Sequence, residues 1–315
     1  METEKKQIRT GNFLLLFTSI IWGSSFVPQR VAMEHMGPFT YTASRFLLGV
    51  AVLLPILLLR SRTNKTEPRL ANPKTYITAG LVCGSLLFVG VSFQQTGIQF
   101  TEAGKAGFIS ALYMVLVPLL GIFFGRRTKS TVWLGVALAL FGIYLLSFTS
   151  QLQIERGDAI VLMGTLFWAA HILMLDRFLP KVDALTLSIM QFFVAGVLAL
   201  IAALIFEEPN LNQAGGLWTI LYSGILVVGG GYTLQVLGQK SVHPTIAALI
   251  MSTESVFAVF FGWILLGEQL TARELAGCIL MFAAILVAQL PSLTQPNLKK
   301  SSLAENPVDF AGKKT

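Results

Sequence analysis

Charge is what this chain most lacks. Only 12% of its 315 residues are charged, against roughly 25% in soluble domains, while 54% are hydrophobic. A soluble fold of this size could not hide so much apolar surface. The scarcity is also uneven. Of 16 acidic residues only Glu254 falls in the middle of a long apolar run, and of 23 basic residues only Arg45 lies well inside one. Stretches emptied of charge mark membrane-spanning helices, because a charge at mid-bilayer is costly.

Cysteine and histidine are scarce too. Cys83 and Cys278 both sit within apolar runs, which excludes a disulfide framework and leaves no metal-ligand spacing; they read as small packing residues. There are three histidines, His35, His171 and His243. Neither His-Glu-x-x-His nor Gly-x-Ser-x-Gly occurs, so a membrane-embedded enzyme built on those motifs is excluded. Gly229-Gly230-Gly231 is no phosphate loop, since no Lys-Ser/Thr follows and the third glycine of GxGxxG is missing. No metal and no cofactor is expected. The apolar runs do not alternate with polar residues, which excludes a membrane β-barrel. The net charge of +7 would suggest nucleic acid in a soluble protein; here it reads as basic residues retained in the cytoplasm, and no nucleic-acid partner is expected. Lys5, Lys6 and Arg9 precede an apolar run that continues from Phe13 through Val27 with no convincing cleavage site, so this is a first span rather than a signal peptide.

What is present is ten apolar runs near the roughly 20 residues a bilayer requires: residues 13–31, 39–59, 76–95, 104–124, 132–148, 159–175, 184–206, 217–237, 245–266 and 275–290. Gly37-Pro38, Asn72-Pro73, Pro180, Pro209 and His243-Pro244 all fall between runs, where turns are needed. The longest link, 60–75, is too short for a soluble catalytic domain. Residues 291–315 are polar and rich in Lys and Ser, and are expected to form a disordered cytoplasmic tail. With the N-terminus in the cytoplasm, eighteen of the 23 basic residues fall on the cytoplasmic side. Four (Arg30, Lys105, Arg156, Arg273) fall opposite, and Arg45 lies within a span. That asymmetry predicts ten spans with both termini cytoplasmic. The sequon Asn64-Lys65-Thr66 then lies on the cytoplasmic side and carries no glycan.

The two halves repeat. An offset of 146 relates Trp22 to Trp168, Arg45 to Gln191 and Phe46 to Phe192; 141 relates Gln94 to Gln235 and Gly97 to Gly238; 142 relates Gly125 and Gly135 to Gly267 and Gly277. Five runs per half is an odd number, so the second half enters the membrane from the other side. Inverted repeats suit alternating access, in which two similar bundles rock about a central site.

Trp22-Gly23-Ser24-Ser25-Phe26, Arg45-Phe46, Ala106-Gly107-Phe108, Leu266-Gly267-Glu268 and Gly277, in this ten-run layout, resemble the drug/metabolite transporter superfamily, specifically its ten-span EamA-type family. The resemblance covers about residues 13 to 290. It implies an all-α membrane fold of two inverted five-helix repeats (13–149 and 157–290) in a bacterial inner membrane, acting as a monomer or homodimer. It also implies a central cavity lined by the first four spans of each half, including Ser25, with the fifth and tenth packed outside. The family moves amino acids, nucleotides, sugars, drugs and other metabolites, often outward, so the implied activity is export of an amino acid or related small molecule. The chain departs from the family pattern at Gly125-Arg126-Arg127, where Gly-Glu is frequent, at Ser255, where many members have Pro, and at Pro118, which lies further along its span.

Read from the residues alone, the sharpest site candidate is Glu254, a lone acid near the middle of its run. It could cycle a proton with transport, bind a cationic substrate group, or hydrogen-bond a neighbouring helix. At offset 141 its mate is Tyr113, whose phenol could face it. Arg45, roughly 8–9 Å deep, could attract an anionic group or snorkel to the surface; its polar mate Gln191 favours an inward position. Trp22 and Trp168 lie too deep for the interfacial belt and form either cavity walls or core. His171 suits a helix-to-helix hydrogen bond better than a proton relay. Gln94, Gln95 and Gln235 could orient a substrate or bond to backbone. Gly80 and Gly84 permit close helix packing, as does the glycine triplet, which could also hinge. A non-transporting scaffold is the other class open to a ten-span chain, but such short links leave a partner little to grip.

A reporter that fluoresces only in the cytosol, fused after Thr315, should therefore be bright. A dark fusion that is expressed and inserted would overturn the ten-span arrangement.

Overall fold

The computed structural model describes residues 2–63, 72–101, 103–123, 125, 128, 130–147, 156–208, 216–266 and 272–294. Among them all regular structure is helical, as lipid requires of a chain that must satisfy its own backbone polar groups. The helices are α1 (Glu2–Ala32), α2 (Pro38–Thr63), α3 (Pro73–Ile98), α4 (Ala103–Ser110), α5 (Tyr113–Phe123), α6 (Ser130–Ser147), α7 (Arg156–Phe178), α8 (Ala184–Phe206), α9 (Leu217–Leu221), a π-helical stretch (Tyr222–Tyr232), α10 (Thr233–Gln239), α11 (Pro244–Met251), α12 (Glu254–Leu266) and α13 (Ala272–Thr294). Seven stretches are long and apolar enough to cross a membrane: Glu2–Ala32, Pro38–Arg60, Pro73–Ile98, Arg156–Phe178, Ala184–Phe206, Leu217–Gln239 and Pro244–Leu265. Tyr113–Phe123, Ser130–Gly142 and Leu275–Val287 are apolar but shorter.

Each predicted run coincides with helix, but three are not single α-helices. Run 104–124 is α4 and α5, run 245–266 is α11 and α12, and run 217–237 changes to π-helix over its glycine-rich middle. At the other end α13 continues through Thr294, so the predicted tail begins at least four residues later than expected; residues 295–315 lie outside the described ones. So do the sequon, Arg126-Arg127 and Gly267-Glu268.

The two breaks match residue for residue at offset 141. Each follows an eight-residue helix, spans two residues (Ala111-Leu112 and Ser252-Thr253), and restarts at Tyr113 or Glu254. In both the backbone tightens to three-residue hydrogen bonds: Leu112 N to Ile109 O and Met114 N to Ala111 O at 3.1 Å, and Thr253 N to Ile250 O and Ser255 N to Ser252 O at 3.2 Å. In the second break hydroxyls reinforce the turn. Ser252, Thr253 and Ser255 donate to the carbonyls of Leu249 (2.8 Å), Ile250 (2.6 Å) and Ser252 (2.8 Å), competing with the helical ladder.

Contacts fix the helix directions. Arg30, at the end of α1, donates to the carbonyls of Ile98 (2.6 Å) and Gln99 (3.2 Å), so α1 and α3 end on one face. Gly97 near the end of α3 abuts Gly157 at the start of α7, and Gly11 near the start of α1 abuts Gly238 near the end of α10. Thus α7 and α10 end on the opposite face, where α1 begins. Each crossing is so close that a Cβ on either glycine would lie 2.8–3.0 Å from the partner's carbonyl oxygen, which is why glycine is needed there.

Helices α2 and α8 run antiparallel and are tied at both ends. Helix α2 opens on Gly37-Pro38 and has no capping side chain of its own, and Glu207 from the end of α8 supplies one. Its carboxylate accepts from Phe39 N (2.6 Å), Thr40 N (2.9 Å) and the Thr40 hydroxyl (2.6 Å). At the other end Asp183 caps α8 through Thr186 N (2.9 Å) and meets Arg60 of α2 at 3.3 Å. Helices α6 and α13 pack chiefly on each other, at the periphery, where the resemblance puts the fifth and tenth spans. Large apolar side chains such as Phe123, Leu204 and Phe206 point outward, as lipid-facing positions do.

The glycine crossings make a stability prediction. Gly97→Val should separate α3 from α7 and cost about 1–3 kcal/mol, seen as a lower melting temperature in detergent. Gly104→Ala, with nothing near its Cβ position, should melt like wild type. Equal melting of Gly97→Val and wild type would refute tight packing at that crossing.

Candidate functional site

A cavity lies where the broken helices meet the centre of the bundle. Its walls come from Trp22, Ser25, Phe26 and Gln29 of α1, Arg45 of α2, Gln94 of α3, Tyr113 of α5 and Trp168 of α7. Val227 and Tyr232 of the π-helical stretch and Glu254 of α12 complete it. Trp22, Ser25, Arg45, Gln94, Tyr113, Trp168 and Glu254 were expected from sequence; the structure brings all seven to this one space. The open space is about 20 Å³, enough for a water molecule, which needs about 10–15 Å³ by this measure.

Aromatic rings build its floor. Trp22 and Trp168 lie 6.2 Å apart, centroid to centroid, and Tyr232 completes a triangle with them at 4.8 and 6.0 Å, nearly parallel to Trp168. Beneath, Phe46 and Phe192 pair at 5.8 Å and each reaches Tyr232. Such offset and tilted contacts are the favourable ones for π-systems, and they hold the rings rigid. Gly231 lets the Trp22 indole press against the π-helical stretch: a Cβ there would lie 3.0 Å from Trp22 Nε1.

Polar groups line the half toward the Arg30 face. The Trp168 indole N–H donates to Gln94 Oε1 at 3.1 Å. Gln94 Nε2 points at Gln29 Oε1 (3.4 Å), and Gln29 Nε2 donates to the Ser25 hydroxyl (2.8 Å), which donates to the Trp22 carbonyl (2.7 Å). Gln95 does not line the cavity; its amide donates to the Gln29 carbonyl at 3.2 Å.

Arg45 is 2% exposed, which excludes snorkelling. Its guanidinium lies 4.9 Å from the Tyr41 ring centre and 5.4 Å from that of Phe46, and cation–π attraction offsets part of its desolvation. Among the described residues it has no salt-bridge partner, and its Nε is without a hydrogen bond. A buried cation without an anion is costly. Glu254 is also buried and opens α12 beside the Ser252-Thr253 break. Tyr113 and Glu254, mates in the repeat, both line this cavity, and among the described residues the Tyr113 hydroxyl has no hydrogen-bond partner.

His171, Gln191 and Gln235 are elsewhere. They lie on α7, α8 and α10, beyond the tryptophans on the side away from Arg30, with His171 and Gln191 joined by a 2.8 Å hydrogen bond. His171 therefore makes the helix-to-helix bond expected of it.

Sequence reasoning missed Gln29 and Tyr232. Gln29 stands one turn beyond Ser25 on the same helical face, a spacing that could have been read. Tyr232 had no repeat mate to mark it, the residue at its offset being Val91. Buried Asp158, which accepts from the Thr101 hydroxyl at 2.7 Å, was also passed over because it stands at the end of its run.

Comparison with known proteins bears on the family and the fold. Residues 9–148 and again 155–289 match the EamA-like transporter family. The chain is similar to an uncharacterized transporter of Archaeoglobus fulgidus, 28% identical over 282 residues, which cover 88% of this chain and 84% of that one. It is similar to the uncharacterized inner membrane transporter YedA of Escherichia coli (strain K12), 28% identical, covering 85% and 87%, and to the uncharacterized transporter YoaV of Bacillus subtilis (strain 168), 23% identical, covering 86% and 94%. A solved crystal structure, 19% identical, superposes with a TM-score of 0.73 over 90% of this chain and 98% of its own; it has the same fold.

An uncompensated charge at Arg45 predicts a trade between stability and function. Arg45→Gln, which copies the mate Gln191, should melt at or above the wild-type temperature in detergent, since it removes a buried cation with no counterion. A melting point several degrees lower would mean that Arg45 is held by the fold for its own stability.

Proposed function

The chain belongs to the EamA-like transporter family, and from that premise we propose that it exports a small zwitterionic metabolite, an amino acid or a related compound, by alternating access. The observation that carries this reading is the cavity itself. It holds a buried cation without a counterion, a single buried carboxyl, and rigid aromatic walls between them. Arg45 takes the substrate's carboxylate, the aromatic rings take its side chain, and Glu254, with Tyr113 beside it, is the proton-coupling residue. Ser25, Gln29 and Gln94 orient the substrate by hydrogen bonds.

Alternating access rests on ten spans arranged as two inverted five-helix repeats, residues 13–149 and 157–290. Three observations support that arrangement. The family matches the chain twice, once in each half. The two helix breaks coincide at one offset. The packing is also reciprocal: α1 crosses α10 through Gly11 and Gly238, and their counterparts α7 and α3 cross through Gly157 and Gly97. The membrane is the bacterial inner membrane, in line with the name of the YedA relative, with both termini cytoplasmic. One chain supplies the whole cavity, so a monomer can transport and a homodimer would hold two independent sites. A membrane-embedded enzyme is the weaker reading, because the cavity pairs no nucleophile with a base and, among the described residues, no cluster of metal-binding side chains occurs.

Flux in liposomes tests the role of Glu254. Glu254→Gln keeps shape and hydrogen bonding but cannot release a proton. The variant should insert, exchange a radiolabelled amino-acid mixture across the membrane, and lose net transport driven by a pH gradient. Wild-type flux with unchanged pH dependence would assign Glu254 to packing, and loss of exchange as well would assign it to substrate binding.

A further inference from the structure

The cluster that does not reach the cavity has a relation to it that the helix directions bring out. At offset 146 Ser25 and Arg45 correspond to His171 and Gln191, and at 141 Gln94 corresponds to Gln235. The first set lines the cavity on the Arg30 side of the two tryptophans; the second occupies the equivalent place on the opposite side. In the first set the amides are engaged, Gln94 with Trp168 and Gln29 with Ser25. In the second only Gln191 Oε1 is engaged, by His171. Gln235 is fully buried, yet neither its Oε1 nor its Nε2 has a hydrogen-bond partner. Gln191 Nε2 and the Ser188 hydroxyl are likewise buried and unpartnered. An amide oxygen only accepts, so His171 Nε2 carries the proton in its bond to Gln191, and the unpartnered His171 Nδ1 is a free acceptor. The Trp22 indole N–H, counterpart of the Trp168 N–H that Gln94 satisfies, is also without a partner.

Buried polar atoms are almost always satisfied, and leaving one unmade costs about 1–3 kcal/mol. Several on α7, α8 and α10, of which α10 packs on both of the others, therefore need an account. Gln239, one turn beyond Gln235, carries the row toward the Gly238 end of α10, with its Nε2 3.5 Å from the Ile172 carbonyl.

We propose that His171, Gln191, Gln235 and Ser188 form a second binding station, on the opposite half of the pathway from Arg45, that takes uncharged hydrogen-bonding groups and opens to the face where α7 and α10 end. Its occupants are water and the neutral polar groups of a passing solute. Where the cavity has a guanidinium the station has Gln191, so it offers donors and acceptors but no fixed charge. It binds weakly and without preference for an anion, which suits a place the solute must leave. The proposal rests on the transporter reading, but its test measures access, not transport.

Single cysteines are placed at Gln235, Ser188 and, as the cavity reference, Gln29, in a background carrying Cys83→Ala and Cys278→Ala. Each is exposed to membrane-impermeant methanethiosulfonates, one cationic and one anionic, in intact cells and in inside-out vesicles. Gln235→Cys and Ser188→Cys should label only from the face opposite to that which labels Gln29→Cys, and at similar rates with both reagents. Gln29→Cys, near Arg45, should favour the anionic reagent by about tenfold. If Gln235→Cys and Ser188→Cys stay unlabelled from both faces while Gln29→Cys reacts, the cluster is packing and the station does not exist. Labelling from the same face as Gln29→Cys would make it part of one cavity and also overturn the proposal. If instead only Gln29→Cys fails to react, the station stands and the reading of the Arg45 cavity falls.

Discussion

Inside a bilayer no water is at hand to bond a free backbone amide or carbonyl, and leaving one unpaired costs several kcal/mol. Much of this molecule follows from that constraint. It makes the chain helical and permits departures from the α-helix only where protein or a polar cavity can absorb them. The departures seen here obey it. Both two-residue breaks fall in the interior, one beside Tyr113 and the other beside Glu254, and the π-helical stretch ends at Tyr232. Irregular backbone and cavity coincide because the cavity is where irregular backbone can be tolerated. The break before Glu254 also places an acid in the first turn of α12, where the helix dipole favours negative charge.

The frame is nearly symmetric and its lining is not. Trp22 and Trp168, or Phe46 and Phe192, pair across the centre as repeat mates. Tyr113 stands for Glu254, Arg45 itself is the mate of Gln191, and Tyr232 has only Val91 as mate. Two halves of equal shape can exchange roles in a rocking motion, and two halves of different chemistry give that motion a direction in binding strength. On the proposed reading, a solute held by Arg45 on one side would meet only neutral amides on the other. The terminal ties of α2 and α8, through Glu207 and through Asp183 with Arg60, hold that antiparallel pair together at both ends.

The positions of the helices were legible because exclusion of charge from lipid is a strong, local and additive signal. Short turns marked by Gly and Pro reinforced it. The seven cavity residues were legible for a related reason, since a polar or aromatic group deep in an apolar run needs a partner, and the repeat named several mates. What stayed hidden depends on contacts between distant parts of the chain. Glu207 reads as an acid at a span's end until α2 is seen to lack a cap of its own. The Ser252-Thr253 break has a readable cause in its run of hydroxyls, but Ala111-Leu112 carries no such mark, and only the repeat links them. His171, Gln191 and Gln235 were grouped with the cavity because sequence reveals mates but not which half of a pathway is engaged. Pro291 looked like the end of α13, yet the helix runs on to Thr294.

The centre of the bundle is not held together by its polar groups. Arg45 lacks an anion, Trp22 lacks an acceptor for its N–H, and Gln235 lacks both its partners, so the centre of the molecule carries unfavourable energy. That must be offset elsewhere. The glycine crossings, the aromatic stack and the capped α2–α8 pair are the places where packing is closest or hydrogen bonds most complete. A ligand that satisfies the central groups therefore stabilises whichever conformation lets it reach them, and shifts the population by the difference in what it satisfies in each. In such a molecule affinity and motion have the same source. On the proposed reading, the groups that bind a solute are those the empty protein leaves unsatisfied, and their distribution over the two halves would set which opening the solute favours.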